Sequence, residues 1–150
     1  MLGIRVSFLT LPQRRWLADG TVDWFWAAAE VAGLPLMALP PDQVSAIDLV
    51  AEKYPGLRLV IDHLGMTSIR QDTDAFSSLN DVCPLARHPN VAVKATALHC
   101  YTTQRYPFVG IHKHIRRVFE AFGPERGFWE PPSRGSPVPI ARRSHYSPRN

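Results

Sequence analysis

One segment near the middle of the chain, Leu57–Gly65, constrains the fold more than any other. It reads Leu-Arg-Leu-Val-Ile-Asp-His-Leu-Gly, an apolar run that ends in an Asp-His pair. Runs of this length that are rich in branched side chains are typical of strands covered on both faces, as in parallel α/β sheets. Functional side chains in such sheets gather at the carboxyl ends of the strands. Asp62 and His63 are therefore predicted to lie at a functional edge.

His63 is the candidate catalytic residue and the candidate metal ligand. A histidine at such an edge can bind a metal, act as a general base or donate a hydrogen bond to a substrate. The alternative is a structural histidine that bonds a loop carbonyl, and the sequence favours neither. Asp62 is a candidate substrate-binding residue, and it either orients His63 or caps the segment that follows.

Strands and helices alternate along most of the chain. Strands are predicted over Gly3–Leu9, Leu34–Leu39, Leu57–Asp62, Val91–Ala95 and Gly127–Trp129. Strict alternation with helical segments predicts an α/β fold with a parallel sheet or barrel. A full (β/α)8 barrel needs about 250 residues, so the five strands predict a portion of one.

The helical segments are predicted from periodicity and from turn residues. They cover Thr21–Ala32, Val44–Lys53, part of Ala75–Arg87, and Val109–Phe122. In the first helix, apolar side chains fall on one face at helical spacing; these are Trp24, Ala27, Ala28 and Val31. Because Trp24 and Trp26 are two residues apart, one of them is expected to face the core and the other to be more exposed. Gly33 is predicted to end that helix, and Asp42 to cap the next one.

The basic character of the chain comes from its last twenty residues. The net charge is +4, and residues 131–150 contain four arginines and no acid. Without these 4, the 17 basic residues are reduced to 13, which balance the 13 acidic ones. Prolines crowd the same segment without any helical or strand period, a composition typical of disorder. Nucleic-acid binding would depend on this tail alone and is not expected, since Tyr146 is its single aromatic residue.

The apolar runs and the cysteine usage of the chain indicate its cellular compartment. No run approaches the roughly 18 apolar residues of a membrane span. The N-terminal segment lacks the basic start and the cleavage site of a signal peptide. Cys83 and Cys100 are isolated, so a disulfide framework is not expected, and a reducing cytoplasm fits this usage best.

Three segments carry a family resemblance. They are Tyr54–Gly65, His88–Thr96 and Phe122–Trp129. Together with Gly3–Pro41, they resemble the amidohydrolase-related (amidohydrolase 2) family of metal-dependent hydrolases, which fold as TIM barrels. The resemblance covers about residues 1–129. It implies a partial TIM (β/α)8 barrel in which the five predicted strands are the fourth to the eighth.

The resemblance also implies a divalent metal, in this family usually zinc, bound by a His-x-His pair on the first strand. His63 matches the histidine that follows the sixth strand and faces the metal or the substrate. The family's metal-binding aspartate after the eighth strand has no match, because Trp129 is followed by Glu130 and Pro131. The predicted fifth strand lacks the histidine that some relatives carry.

The first three strands of such a barrel have no counterpart in this sequence. The resemblance stops at Trp129, where the proline- and arginine-rich tail begins. We therefore expect a partial barrel domain over residues 1–130 and a disordered tail over residues 131–150, as a frame-shifted, truncated gene product would have. Such a chain is expected to be inactive, and its exposed barrel edges would favour association, for instance as a homo-oligomer.

The loop after Val91–Ala95 contains two further candidate substrate-binding residues, His99 and Tyr101. They would lie on the catalytic rim of a barrel, although the ordinary polarity of a loop also explains them. Lys94 interrupts an apolar strand and either needs an acidic or substrate partner or reaches solvent. Arg5 contacts either an anion inside the barrel or the acid of a salt bridge.

The single local His-x-His pair, His112 and His114, falls within a predicted helix. Residues two apart on a helix do not share a face, whereas they do on a strand. A solvated helix face is therefore the preferred interpretation of this pair.

The family resemblance implies a hydrolase that acts on a small organic acid, lactone or amide. The attacking group would be metal-activated water, which requires several metal ligands and an open coordination position. The alternatives are a non-oxidative decarboxylase of the same family and a non-catalytic βα interaction module. The expected partner is a small-molecule substrate, with neither a nucleic acid nor a membrane.

Overall fold

Five parallel strands form one sheet, in the order in which they occur along the chain. The computed structural model describes residues 3–66 and 69–129. The strands are β1 (Ile4–Ser7), β2 (Leu36–Leu39), β3 (Leu59–Ile61), β4 (Val91–Ala95) and β5 (Gly127–Trp129). Neighbouring strands of a (β/α)8 barrel follow one another in this sequential order. In a doubly wound sheet, by contrast, the strand order reverses in the middle of the sheet. The α/β prediction is confirmed, and all five predicted strands are present.

Within the described residues, six α-helices connect these strands. They are α1 (Leu11–Ala18), α2 (Asp23–Val31), α3 (Val44–Lys53), α4 (Asp72–Phe76), α5 (Leu79–Val82) and α6 (Val109–Phe122). The helices predicted over Val44–Lys53 and Val109–Phe122 are confirmed with those bounds. The segment predicted as partly helical divides into the end of α4, α5 and a 3₁₀ turn over Cys83–Arg87, with Pro84 in its first turn.

The helices cover one face of the sheet and bury it. Right-handed crossovers between strands in sequential order place every connecting helix on the same side. Alternate strand residues on that side are at most 1 % exposed, namely Leu36, Leu59, Ile61, Val91 and Val93. The opposite side is partly exposed, and its residues align across the strands. We call it the open face, consisting of Arg5, Met37, Val60, Ala92 and Lys94.

Helix α1 was not among the predicted helices, although its start is encoded locally. Thr10 accepts a hydrogen bond from the Gln13 backbone N–H, and the Gln13 side chain accepts one from the Thr10 backbone N–H. This reciprocal pair is a capping box, and Pro12 stands in the first turn, where a missing N–H is harmless. Thr10-x-x-Gln13 is the sequence signal that would have revealed the helix.

The expectation that one of Trp24 and Trp26 faces the core while the other is exposed is confirmed. Trp24 is 71 % exposed and Val31 is 90 % exposed, whereas Trp26 is fully buried. The Trp26 ring packs 6.1 Å from the ring of Phe8, which follows β1. Burying one of two neighbouring tryptophans exposes the other, and contact with Phe8 selects Trp26. Gly33 does follow the helix end, with a left-handed φ of 63° that favours glycine.

The predicted N-cap role of Asp42 is wrong. Asp42 has φ 58°, and the residue that precedes α3 is Gln43, whose side chain makes no capping hydrogen bond. The carboxylate of Asp42 instead lies 3.0 Å from the guanidinium of Arg70. The left-handed backbone turns the Asp42 side chain away from the first helical N–H groups, so a tertiary ion pair takes the place of the cap.

The predicted tail, residues 131–150, lies outside the described residues, so the boundary predicted at residue 130 stays a prediction. Within the part of the chain that the structure does describe, no helix combines the length and the apolar content that a membrane span requires.

A left-handed turn ends the central strand. Asp62–Gly65 forms a short 3₁₀ segment, in which His63 has φ 48°, Leu64 φ 52° and Gly65 φ 63°. Left-handed backbone costs a non-glycine residue roughly 1–2 kcal/mol, so this turn holds two strained residues. Leu64 is fully buried, and its packing offsets part of that strain.

Gly65→Ala should destabilise the protein by about 3 kcal/mol, because it adds left-handed strain and overpacking together. A Cβ at this position would lie 2.7 Å from Cγ2 of buried Val44. The matched control is Gly33→Ala, where φ is 63° and nothing lies within 4 Å of the new Cβ. It should lose only about 1 kcal/mol. Urea unfolding of both variants measures the difference, and equal losses would contradict the packing argument.

Candidate active site

His63 joins the ends of two neighbouring strands. Its Nδ1 lies 3.0 Å from the hydroxyl of Thr96 and 3.3 Å from the Thr96 carbonyl oxygen. Thr96 follows β4 directly and is 4 % exposed. The imidazole is therefore held by one nitrogen, while 28 % of the side chain stays accessible to solvent. The carbonyl contact is the one that a structural histidine would make, and the accessibility is what a catalytic one would need.

Asp62 provides a buried carboxylate beside this histidine. Its side chain is 2 % exposed, and Oδ2 accepts a hydrogen bond from Arg5 Nε at 2.8 Å. The Arg5 Nη2 group lies 2.7 Å from the same oxygen, and Nε2 of His63 lies 3.6 Å from it. Oδ1 has no hydrogen-bond partner among the described residues, and the ammonium of Lys94 is 3.6 Å away.

Two cations therefore share one acid. Asp62 is both the acidic partner considered for Lys94 and the acid of the salt bridge considered for Arg5. Its carboxylate neither caps the following segment nor hydrogen-bonds His63, because its two oxygens face the cations. In this arrangement Asp62 positions charged side chains, and a direct contact between its carboxylate and a substrate would require Lys94 to move.

Tyr101 is buried in the loop after β4, and the ring of His99 lies close to Phe108 in the same loop. Tyr101 is 6 % exposed, and its burial, followed by the charges of Cys100 and Asp62, raises its pKa to about 12. Its hydroxyl is thus protonated throughout the physiological range and can only donate or accept as a neutral group. The His99 ring lies 6.2 Å from the ring of Phe108.

A set of hydrogen bonds ties the loop after β3 to the loop after β4. The Asp72 carboxylate accepts from the hydroxyls of Thr102 and Thr103, both at 2.7 Å, and from the Thr103 N–H at 3.1 Å. The hydrogen bonds from these two threonines lower the pKa of Asp72. The amide of Gln71 donates to the Cys100 carbonyl at 3.1 Å. These contacts hold the segment that carries Tyr101, and no sequence motif predicted them.

The His-x-His pair lies on α6, as predicted, and forms no metal site there. The ring of His114 stacks on Phe76 at 4.0 Å between centroids, and His112 is exposed. Burial, together with the charges of Lys113 and Arg117, lowers the pKa of His114. Among the described residues, no three or more histidine, cysteine, aspartate or glutamate side chains come together as metal ligands.

The described residues do not fit the zinc ion that the family resemblance implies. A catalytic zinc takes three protein ligands and a water. At this edge the chain supplies one imidazole, on His63, and one carboxylate, on Asp62, which already faces two cations. Arg5 and Lys94 would repel a divalent cation placed between them. The metal role predicted for His63 thus stays a prediction that needs ligands from outside the described residues.

We expect His63→Ala to leave the zinc affinity of the chain unchanged, because a single imidazole holds zinc weakly. Isothermal titration of zinc chloride into wild type and variant at neutral pH measures this. His112→Ala is the matched control on an exposed helix. A tight zinc site in the wild type that disappears in His63→Ala, but not in His112→Ala, would contradict the conclusion that the described residues do not fit zinc.

The raised pKa of Tyr101 gives a prediction for alkaline solution. Because the phenol ionises near 10 when unfolded and at about 12 when folded, its contribution to stability is complete below pH 10. It is lost as the pH rises through 12, by roughly 3 kcal/mol for this shift. Tyr101→Phe should flatten the fall of unfolding free energy between pH 10 and 12, measured by urea titration. Tyr106→Phe, at a tyrosine that is 72 % exposed, should keep the wild-type slope; identical slopes in both variants would refute the assignment.

Comparison with known proteins supports the fold and the family. The sequence model of the family described as Amidohydrolase matches residues 1–130. The chain is 28 % identical over 141 residues to an L-fucono-1,5-lactonase of Burkholderia ambifaria, a match that covers 93 % of this chain and 47 % of that protein.

Solved structures show the same architecture. An amidohydrolase of Burkholderia multivorans with bound zinc superposes with a TM-score of 0.73 at 19 % identity, covering 87 % of this chain and 49 % of that one. Amidohydrolase 2 from Bifidobacterium longum subsp. infantis superposes with a TM-score of 0.58 at 21 % identity, covering 85 % of this chain and 45 % of that one. The chain thus spans about half the length of these relatives. The partial TIM-barrel prediction is confirmed, while the numbering of its strands as four to eight stays a prediction.

The match over residues 1–130 includes every strand and helix described above. It confirms the resemblance and, at the level of the family, the prediction of a hydrolase. This chain belongs to the amidohydrolase family.

Proposed function

We propose that this protein hydrolyses a lactone at the edge where His63 and Asp62 lie, and that residues 1–130 form the domain responsible. The observation that carries the proposal is the geometry of His63, held by one nitrogen on Thr96 with its other nitrogen 3.6 Å from a buried carboxylate. The identity to a lactonase over 93 % of this chain supports lactones above amides and other esters.

The mechanism uses the tautomer of His63 with the proton on Nδ1 and the lone pair on Nε2. Two Thr96 oxygens lie near Nδ1, the carbonyl at 3.3 Å, which only accepts, and the hydroxyl at 3.0 Å, which can donate or accept, and both can accept the Nδ1 proton. Nε2 is then the base that takes a proton from water, and the negative charge of Asp62 stabilises the imidazolium that forms. Here His63 is the catalytic residue, Thr96 positions it by hydrogen bonding, and Asp62 acts on it through charge alone.

The reaction that follows balances without a further reactant. The oxygen of the deprotonated water bonds to the lactone carbonyl carbon, and the bond between that carbon and the ring oxygen breaks. The departing oxygen takes the proton from His63, which gives a hydroxy acid that ionises in water. The neutral hydroxyl of Tyr101 donates to the carbonyl oxygen as negative charge develops there. The substrate contact expected for His99 stays a prediction from the sequence, because the ring contact observed for His99 is with Phe108.

No step is assigned to a metal, because the described residues do not form a site for one. The zinc in the Burkholderia multivorans structure belongs to that protein. Metal-activated water, decarboxylation and a non-catalytic interaction module stay predictions from the sequence, as does homo-oligomerisation. The truncation and the inactivity expected from the sequence also stay predictions; the proposal departs from the expected inactivity because its mechanism needs neither the His-x-His pair nor the aspartate after the eighth strand. We further propose a reducing compartment, the cytoplasm, because Cys83 and Cys100 are free thiols in the structure.

The test is ring opening of a panel of five- and six-membered sugar lactones by the purified chain, followed with a pH indicator. His63→Gln keeps a polar side chain but removes the base, and it should lower kcat by about 100-fold or more, within the usual range for general-base catalysis. Thr96→Val removes the hydroxyl contact with Nδ1 and should have a smaller effect.

His112→Gln is the matched control for the loss of an imidazole, since His112 is exposed on α6. It should retain wild-type rates. No ring opening above the buffer rate for any lactone, or equal rates for His63→Gln and His112→Gln, would refute the proposal. Thermal melts of each variant separate loss of the base from loss of the fold.

A further inference from the structure

Arg5 and Lys94 bring two positive charges to the open face of the sheet. In the register of the strands, Arg5 aligns with Met37, Met37 with Val60, and Val60 with Ala92. Lys94 lies two residues beyond Ala92 on β4, so its side chain projects from the same face. The two cations therefore lie above one surface although their strands are not neighbours.

The charges at this place do not balance. Among the described residues, Asp62 is the one acid within ion-pair distance of either cation, and its side chain is 2 % exposed. The side chains of Arg5 and Lys94 are 54 % and 32 % exposed, so their charge reaches the solvent at the open face. The two cations and the one carboxylate leave a net charge of one positive unit.

The donors of both cations exceed what Asp62 can accept. Arg5 uses Nε and Nη2 on a single oxygen, whereas a guanidinium has five N–H donors. Lys94 stands 3.6 Å from Oδ1, outside hydrogen-bonding distance, and an ammonium has three donors. The buried carboxylate thus fixes two cations in place while most of their donors stay unused, which is a preorganised site for an anion.

We propose that Arg5 and Lys94 form a carboxylate subsite beside His63. The proposal rests on the proposed function in one respect, since opening a lactone produces a carboxylate at this edge. Apolar Met37 and Val60 lie between the two strands on the same face and offer no competing acceptor, which strengthens a charge-assisted hydrogen bond there.

Binding of an open-chain hydroxy acid tests the subsite directly. D-gluconate and the uncharged polyol sorbitol are titrated into the purified chain by calorimetry, so that the carboxylate is the main difference between the probes. We expect gluconate to bind at least about 10-fold more tightly than sorbitol, because one charge-assisted hydrogen bond contributes about that much affinity. Equal affinities would overturn the proposal.

Substitutions identify the cations responsible. Lys94→Met and Arg5→Met should each weaken gluconate binding by about 10-fold or more, while Lys94→Arg keeps the charge and should stay within about threefold of wild type. Lys53→Met is the matched control, because Lys53 also pairs with one carboxylate, that of Asp23 at 2.7 Å, and it lies on α3 rather than on a strand of the sheet. An equal loss of gluconate affinity in Lys53→Met and in Lys94→Met would mean that gluconate is attracted unspecifically, and it would overturn the subsite. Thermal melts exclude misfolded variants, and Lys94→Arg keeps the test valid if Lys94→Met does not fold.

Kinetics distinguish the source of the carboxylate and separate the two proposals. If the subsite holds the product, gluconate inhibits competitively against a neutral lactone. If it holds a carboxylate already on the substrate, a lactone acid has a kcat/KM at least about 10-fold above that of its neutral counterpart. Gluconate preference without any lactone hydrolysis would refute the proposed function alone, and hydrolysis without gluconate preference would refute the subsite alone.

Discussion

The buried carboxylate of Asp62 is the interaction on which the functional edge of this sheet depends. It follows β3, yet it pairs with Arg5 from β1 and with Lys94 from β4, so it joins strands that do not all touch one another. Removing the cations from such a buried acid would be strongly destabilising, and the three charges therefore act as a unit. The same unit determines the electrostatic surroundings of His63.

Backbone strain and ion pairing meet at this edge. The left-handed residues His63 and Leu64 are held by the buried Leu64 side chain, by Gly65 against Val44, and by Thr96 on the imidazole. An ordinary extended exit from β3 would relieve the strain but would carry the imidazole away from both Thr96 and Asp62. Strain kept in place by its surroundings at a strand end is what functional sites commonly show.

Local patterns predicted those elements whose signals are contained within one segment. The bounds of α3 and α6 follow from their periodicity and from the proline and glycine residues that flank them, and the strands follow from short branched runs. The rotation of α2 stayed open in the sequence, because Phe8, distant in sequence, decides which tryptophan is buried. The Asp42 cap was wrong because Arg70 competes for the carboxylate through a tertiary ion pair.

The sequence by itself determined the α/β class, the five strands and the place of the Asp-His pair at a strand end, because hydrophobic period and turn residues are local properties. Only the tertiary structure decided what surrounds that pair. Arg5 and Lys94 each had several possible partners in the sequence, and the parallel register brought both to the carboxylate of Asp62. Partners so distant along the chain are chosen by the packing of whole strands, which no local pattern encodes.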